Sequence, residues 1–189
     1  AMNTGRGIAG GAGTQTAALM FGGGEPQIAD VESWNGSAWT EVANLSGVRT
    51  GMAGFGETNT AAICAGGRPN PPISRPDLDL ALTETWNGTS WTEGNDLNTA
   101  RRFFAGSGIT TAGIVFGGST GSPETRRAYT EEYDGTSWAE VADLSAARLA
   151  DAATSAPSSL SLAFAGQLPL SNATEEWTKA TEASSFTSS

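Results

Sequence analysis

Two sets of charged residues recur through this chain. Glu32, Glu84, Glu131 and Glu175 occupy one recurring place, and Arg6, Arg49, Arg101 and Arg148 another. A set of carboxylates could serve a hydrolase of the glycosidase kind, which needs one carboxyl as acid and another as base or nucleophile. Four carboxylates brought together without cations would repel, however, and the arginines supply one partner for each. Opposite charges present once per unit read as paired, partly buried ions that fix register between units. Histidine is absent, which removes the commonest general base and the commonest transition-metal ligand. A Ser-His-Asp or Cys-His arrangement is therefore excluded. Asp77-Leu78-Asp79 offers oxygens to calcium, but the remaining ligands and their spacing are missing. The expectation is a protein that is not an enzyme, with no catalytic residue, no metal and no cofactor.

These charges sit in a chain that repeats itself. Phe21-Gly22-Gly23 is answered by Ala65-Gly66-Gly67, Phe116-Gly117-Gly118 and, less faithfully, Phe164-Ala165-Gly166. The second glycine falls at 23, 67, 118 and 166, giving periods of 44, 51 and 48 residues. Such periods mark an array of small structural units. Units of approximately 3–46, 47–98, 99–145 and 146–187 fill one domain, 1–189. In the third unit, Arg101–Ala105, Thr110–Phe116, Ala128–Tyr133 and Ser137–Val141 are runs of strand length, too short for helices. Each arginine thus starts a first strand. Four strands per unit are expected, with Asn35-Gly36, Asn87-Gly88 and Asp134-Gly135 as tight type I′ hairpin turns.

Each doublet should let a backbone or an aromatic ring come close. The doublets close strands, with no helix or Lys-Ser/Thr following, so they are not phosphate loops. Aromatic pairs flank the turns: Trp34 and Trp39, Trp86 and Trp91, Tyr133 and Trp138, with Trp177 alone in the last unit. They could stack on sugars, but recurrence in every complete unit favours packing between sheets.

Composition agrees with an all-β chain. Glycine supplies 25 of 189 residues, and only 16% are charged. The balance of 10 Lys+Arg against 20 Asp+Glu gives a net charge of −10, which repels phosphate backbones and argues against a nucleic-acid partner. A single cysteine, Cys64, rules out an intrachain disulfide. Cys64 stands where other units carry Met20, Val115 and Ala163, so it reads as a small core residue. No apolar run is long enough to span a bilayer, so no membrane insertion is expected and the chain reads as soluble.

A glycine doublet closing a hydrophobic strand, then an aromatic and a Trp a few residues on, resembles the kelch repeat. The wording of Thr-Ala-Ala-Leu-Met-Phe-Gly-Gly (16–23) and Trp-Asn-Gly-Thr-Ser-Trp-Thr-Glu (86–93) is closest to kelch-like repeats of phage and environmental proteins. The resemblance covers about residues 3 to 180 and implies a β-propeller, four-stranded blades set radially about an axis. Four blades are expected, the last irregular because 174–180 lacks the turn and second Trp. Its fourth strand would come from 181–187 or from another chain, or be absent. Asn3-Thr4-Gly5-Arg6 echoes Asn98-Thr99-Ala100-Arg101, so the array reads as starting on a unit boundary. The alternative is an open array that completes its ring by oligomerisation, leaving monomer and homo-oligomer both open. The histidine-dependent copper oxidases of this fold do not carry over.

Function is expected in what breaks the repeat. The links from doublet to third strand (24–31, 68–82, 119–128 and 167–173) vary most and should emerge on one face. The longest carries four prolines, Pro69, Pro71, Pro72 and Pro76, which lower the entropy cost of presenting a fixed loop. Candidate partner-binding residues are Arg68, Arg75, Asp77 and Asp79 in that link, and Arg126, Arg127 and Tyr129 in the next. The chain reads as a non-enzymatic binding or structural module, taking a protein or carbohydrate partner through these loops and of the kind associated with virions. The alternatives are a lectin-like propeller and a carboxylate-dependent hydrolase.

Overall fold

A computed structural model describes residues 1–69, 78–149, 152–153, 160–164, 166 and 174–178. Among them there is no helix, and the strands form antiparallel sheets in chain order. The first sheet comprises β1 (Gly10–Thr14), β2 (Ala17–Phe21), β3 (Val31–Trp34) and β4 (Trp39–Val42). The second comprises β5 (Ala53–Thr58), β6 (Ala61–Ala65), β7 (Thr83–Trp86) and β8 (Trp91–Glu93). The third comprises β9 (Ala105–Ile109), β10 (Ala112–Phe116), β13 (Thr130–Tyr133) and β14 (Trp138–Glu140), with a small hairpin of β11 (Ser119–Thr120) and β12 (Thr125–Arg126) between its middle strands. The described part of the fourth has three strands, β15 (Ala152–Ala153), β16 (Leu160–Phe164) and β17 (Thr174–Thr178). Its expected fourth strand, from 181–187, lies outside the described residues.

The first strands correct the sequence reading. Arg6, Arg49, Arg101 and Arg148 are not in strands; β1, β5, β9 and β15 each begin four residues later. In the third unit the strand takes in Gly106-Ser107-Gly108, which the sequence suggests is its end. The reason is crowding. First strands of successive sheets pack on one another, and a Cβ on Gly54 would lie 2.6 Å from the Gly11 amide nitrogen. Only glycine allows that approach.

Aromatic rings exploit the same glycines. The Phe21 ring lies on Gly10 and Gly54, and the Phe55 ring on Gly106 and Gly113. Large and small residues alternate between paired strands. Phe21 and Phe116, just before their doublets, accompany Ala12 and Ser107 on the first strands; Ala65 accompanies Phe55. Each interface thus receives one large ring per unit from one strand or the other.

The turns also differ from expectation. Trp34 pairs with Trp39, Trp86 with Trp91 and Tyr133 with Trp138, so each turn is a four-residue loop. Only the glycine takes a left-handed backbone, at φ 90°, 92° and 95°. The Asn35 Oδ1 accepts hydrogen bonds from the Ser37 and Ala38 amides, both 2.9 Å, and Asn87 and Asp134 repeat the pattern. The side chain does the work that positive φ at the first turn residue would do in a type I′ turn.

The core lies between sheets. Leu19, Phe21 and Val31 meet Ala62, Cys64 and Trp86; Phe55, Ile63 and Ala65 meet Val115, Tyr133 and Trp138; Ile114 and Phe116 meet Ala163. Phe21 contacts Trp91 edge-on at 5.1 Å between ring centroids, and Phe55 contacts Trp138 at 6.3 Å. Cys64 is fully buried, and burial pushes its thiol up to about 11 against the pull of Arg49.

Candidate functional site

Each recurring arginine meets the glutamate of its own unit: Arg6 with Glu32 at 2.6 Å, Arg101 with Glu131 at 2.8 Å, Arg49 with Glu84, and Arg148 with Glu175. The side chains of the first three pairs are essentially inaccessible. The guanidinium also reaches backbone carbonyls beside the doublet: Arg101 Nη1 donates to Gly117 at 3.1 Å and Tyr129 at 2.7 Å. Contact with the preceding unit runs through the arginine backbone. The carbonyls of Arg49, Arg101 and Arg148 accept from the amides of Gly23, Gly67 and Gly118, at 2.8 to 2.9 Å. Doublet, arginine and glutamate therefore form one repeated clasp.

Burial opposes ionisation of Glu32, yet the Asn3 and Thr4 amides and Arg6 outweigh it and hold its carboxyl below the ordinary range. Burial lowers the Arg101 guanidinium, and Glu131 offsets part of that. Glu32, Glu84 and Glu131 are buried and held by these donors, whereas the Glu175 side chain is partly exposed. A further recurring set has no counterpart in the sequence reading. Asn44, Asp96 and Asp143 accept from the first amides of the third strands at 3.2 to 3.3 Å. The signal was present as an Asn or Asp five residues after each second tryptophan.

The variable links are drawn together where the repeat fails. Arg102 stands where other units carry Gly7, Thr50 and Leu149. It pairs with Asp79 from the long link and reaches Glu124 at 3.3 Å in the next. The second Asp79 oxygen accepts from the Gly121 amide at 2.7 Å. Asp79 is thus committed inside the protein. Arg127 donates from Nε to Thr120 Oγ1 at 2.9 Å and lies 5.5 Å over the Tyr129 ring. Arg126 pairs across the small hairpin with Ser119, whose neighbour on the other side is Arg102. Arg68 forms a two-bond bridge with Thr50. Arg75 and Asp77 lie outside the described residues. The candidates Asp79, Arg126, Arg127 and Tyr129 form one neighbourhood, organised by Arg102 and Glu124, which sequence reasoning missed.

A cavity of about 440 Å³ runs along the inner strands, bordered by Gly11, Gly54, Gly106, Met20 and Trp39. Its lining carries no titratable side chain. Among the described residues no group of three or more Cys, Asp or Glu could hold a metal ion, and no helix is long and apolar enough to cross a membrane. No family model and no curated protein matches the chain.

Proposed function

We propose that the chain is a four-repeat kelch-like β-propeller acting as a non-enzymatic binding or structural module, of the kind displayed on a larger assembly such as a virion. The observation that carries this reading is how the charges are used. The recurring arginines and glutamates are consumed inside the frame, while Arg102 ties Asp79 of the second variable link to Glu124 of the third. A loop surface held in one shape binds with little ordering cost, which suits recognition.

Radial arrangement is supported by the packing of first strands on one another and by a clasp that recurs at each junction. Closure of the ring would set the Gly166 amide against the Arg6 carbonyl, repeating the bonds of Gly23, Gly67 and Gly118. An array left open would close against a second copy. Light scattering tests closure, because a ring within one chain gives the monomer mass of 19.3 kDa. Function is tested by selection from peptide and glycan libraries, repeated after residues 69–77 are exchanged for a glycine–serine linker. The exchange should preserve the melting temperature and remove the selected ligand. Binding that survives the exchange, or libraries that yield no ligand, would overturn the reading.

A further inference from the structure

At the outer side of the interface between the second and third sheets, three departures from the repeat meet. Val42 and Val141 of the first and third units are replaced by Gly94, Ala43 and Ala142 by Asn95, and Trp34 and Trp86 by Tyr133. In the preceding interface Val42 packs against the cluster containing Trp86. Here glycine leaves that place empty, and a Cβ on Gly94 would still lie 4.0 Å from the Tyr133 hydroxyl. The result is an open groove of about 440 Å³, bordered by Thr85, Glu93, Asn95, Tyr133 and Thr136. Its volume falls in the range of small-ligand clefts.

The Tyr133 ring is buried, with the residue 3% exposed overall, and its hydroxyl borders the groove beside Gly94. Burial, with Asp134 nearby, raises its pKa, so it stays a neutral phenol at physiological pH. The hydroxyl is open to the groove rather than sealed in the protein, so it bonds water there, which a ligand hydroxyl can replace. Asn95 donates to the Thr136 carbonyl at 3.0 Å and fixes one wall.

The chemistry of the walls selects the ligand. No cation borders the groove and Glu93 does, so an anion is disfavoured. No aliphatic side chain borders it, so a peptide anchor would gain little there. Hydroxyls, an amide and backbone groups remain, which both donate to and accept from sugar hydroxyls. We infer that this groove binds a neutral saccharide, held by the Tyr133 hydroxyl in the space that Gly94 leaves open. The inference deepens the binding-module reading; it needs neither a closed ring nor the long link.

The test uses the whole chain on an array of neutral glycans, then isothermal titration of the strongest binder as free oligosaccharide. Gly94→Val restores the residue found in the first and third units, so the fold should tolerate it. It should weaken binding about tenfold or more with the melting temperature unchanged. Tyr133→Phe, which keeps the ring, should weaken it about fivefold, the loss of one hydrogen bond. Absence of any neutral glycan binding up to about 10 mM, affinity unaltered in Gly94→Val, or displacement of the sugar by spermidine would overturn the inference. Sugar binding lost on exchange of 69–77 but kept in Gly94→Val would sink the groove and leave the link reading standing.

Discussion

The Arg101–Glu131 pair shows most plainly what the recurring charges do. Arg101 and Glu131 are both fully buried, and the carboxylate also accepts from the Asn98 amide at 2.7 Å. Breaking a buried pair by removing one partner leaves an uncompensated charge and costs about 3–5 kcal/mol. Replacing both members with apolar residues is often neutral by comparison. Arg101→Met should therefore lower the unfolding free energy by about 3–5 kcal/mol in urea titration, and Arg101→Met/Glu131→Leu should recover most of that. A single variant within about 1 kcal/mol of the parent would show that the clasp holds through its backbone bonds alone. Arg102, one residue on, looks equivalent in sequence and differs in role, because it serves two links rather than the frame.

Strands and turns carry the next set of constraints. Gly54 faces the backbone of Gly11, which cannot move aside as a flexible side chain can. Gly54→Ala should cost about 1–3 kcal/mol or more, read as a lowered melting temperature, whereas Gly47→Ala, with nothing within 4 Å, should not. The Asp134 turn makes a pH prediction. The Ser137 and Thr136 amides hold its carboxyl below the ordinary range. A carboxyl depressed in the folded state contributes stability above its unfolded pKa and loses it as pH falls through the folded one. Asp134→Asn should keep the turn, as Asn35 and Asn87 do in theirs, and should flatten that part of the acid-side loss in melting experiments from pH 5 to about pH 2. An unchanged acid profile would remove the turn from the account. Much of this scale was legible in advance: the doublets, hairpins and aromatic pairs announce themselves by spacing. First-strand boundaries were hidden because a strand built of Gly10-Gly11-Ala12-Gly13 has no hydrophobic alternation and reads as a loop. The knot around Arg102 was hidden because it joins residues from separate links, and no local pattern encodes that meeting. The Gly94 groove was legible only as a missing valine, and its meaning needs the neighbouring sheet.

For the whole molecule, the decisive surface is the face of the first sheet turned away from the second. Met20 pairs with Glu32 on that face, while its neighbour Leu19 points into the interface. The residues equivalent to Met20 are Cys64, Val115 and Ala163, exposed by 0%, 0% and 2%. Each of those is covered by the sheet before it. Met20, Trp34 and Trp39 are only half-buried, because no preceding sheet lies over them among the described residues. A face of one methionine and two tryptophans invites cover, and a ring of four repeats, as proposed, would supply it from the fourth sheet. Met20→Asp tests this directly. An aspartate sealed under a sheet would lose its hydration without gaining a cation, costing several kcal/mol, about 3 or more. A monomeric parent whose melting temperature collapses on this change places the cover within the chain. A parent that is a dimer or larger by light scattering, and that the change dissociates, places it in a second copy. A variant with unaltered mass and stability would leave the face open to water and end the case for a ring of either kind.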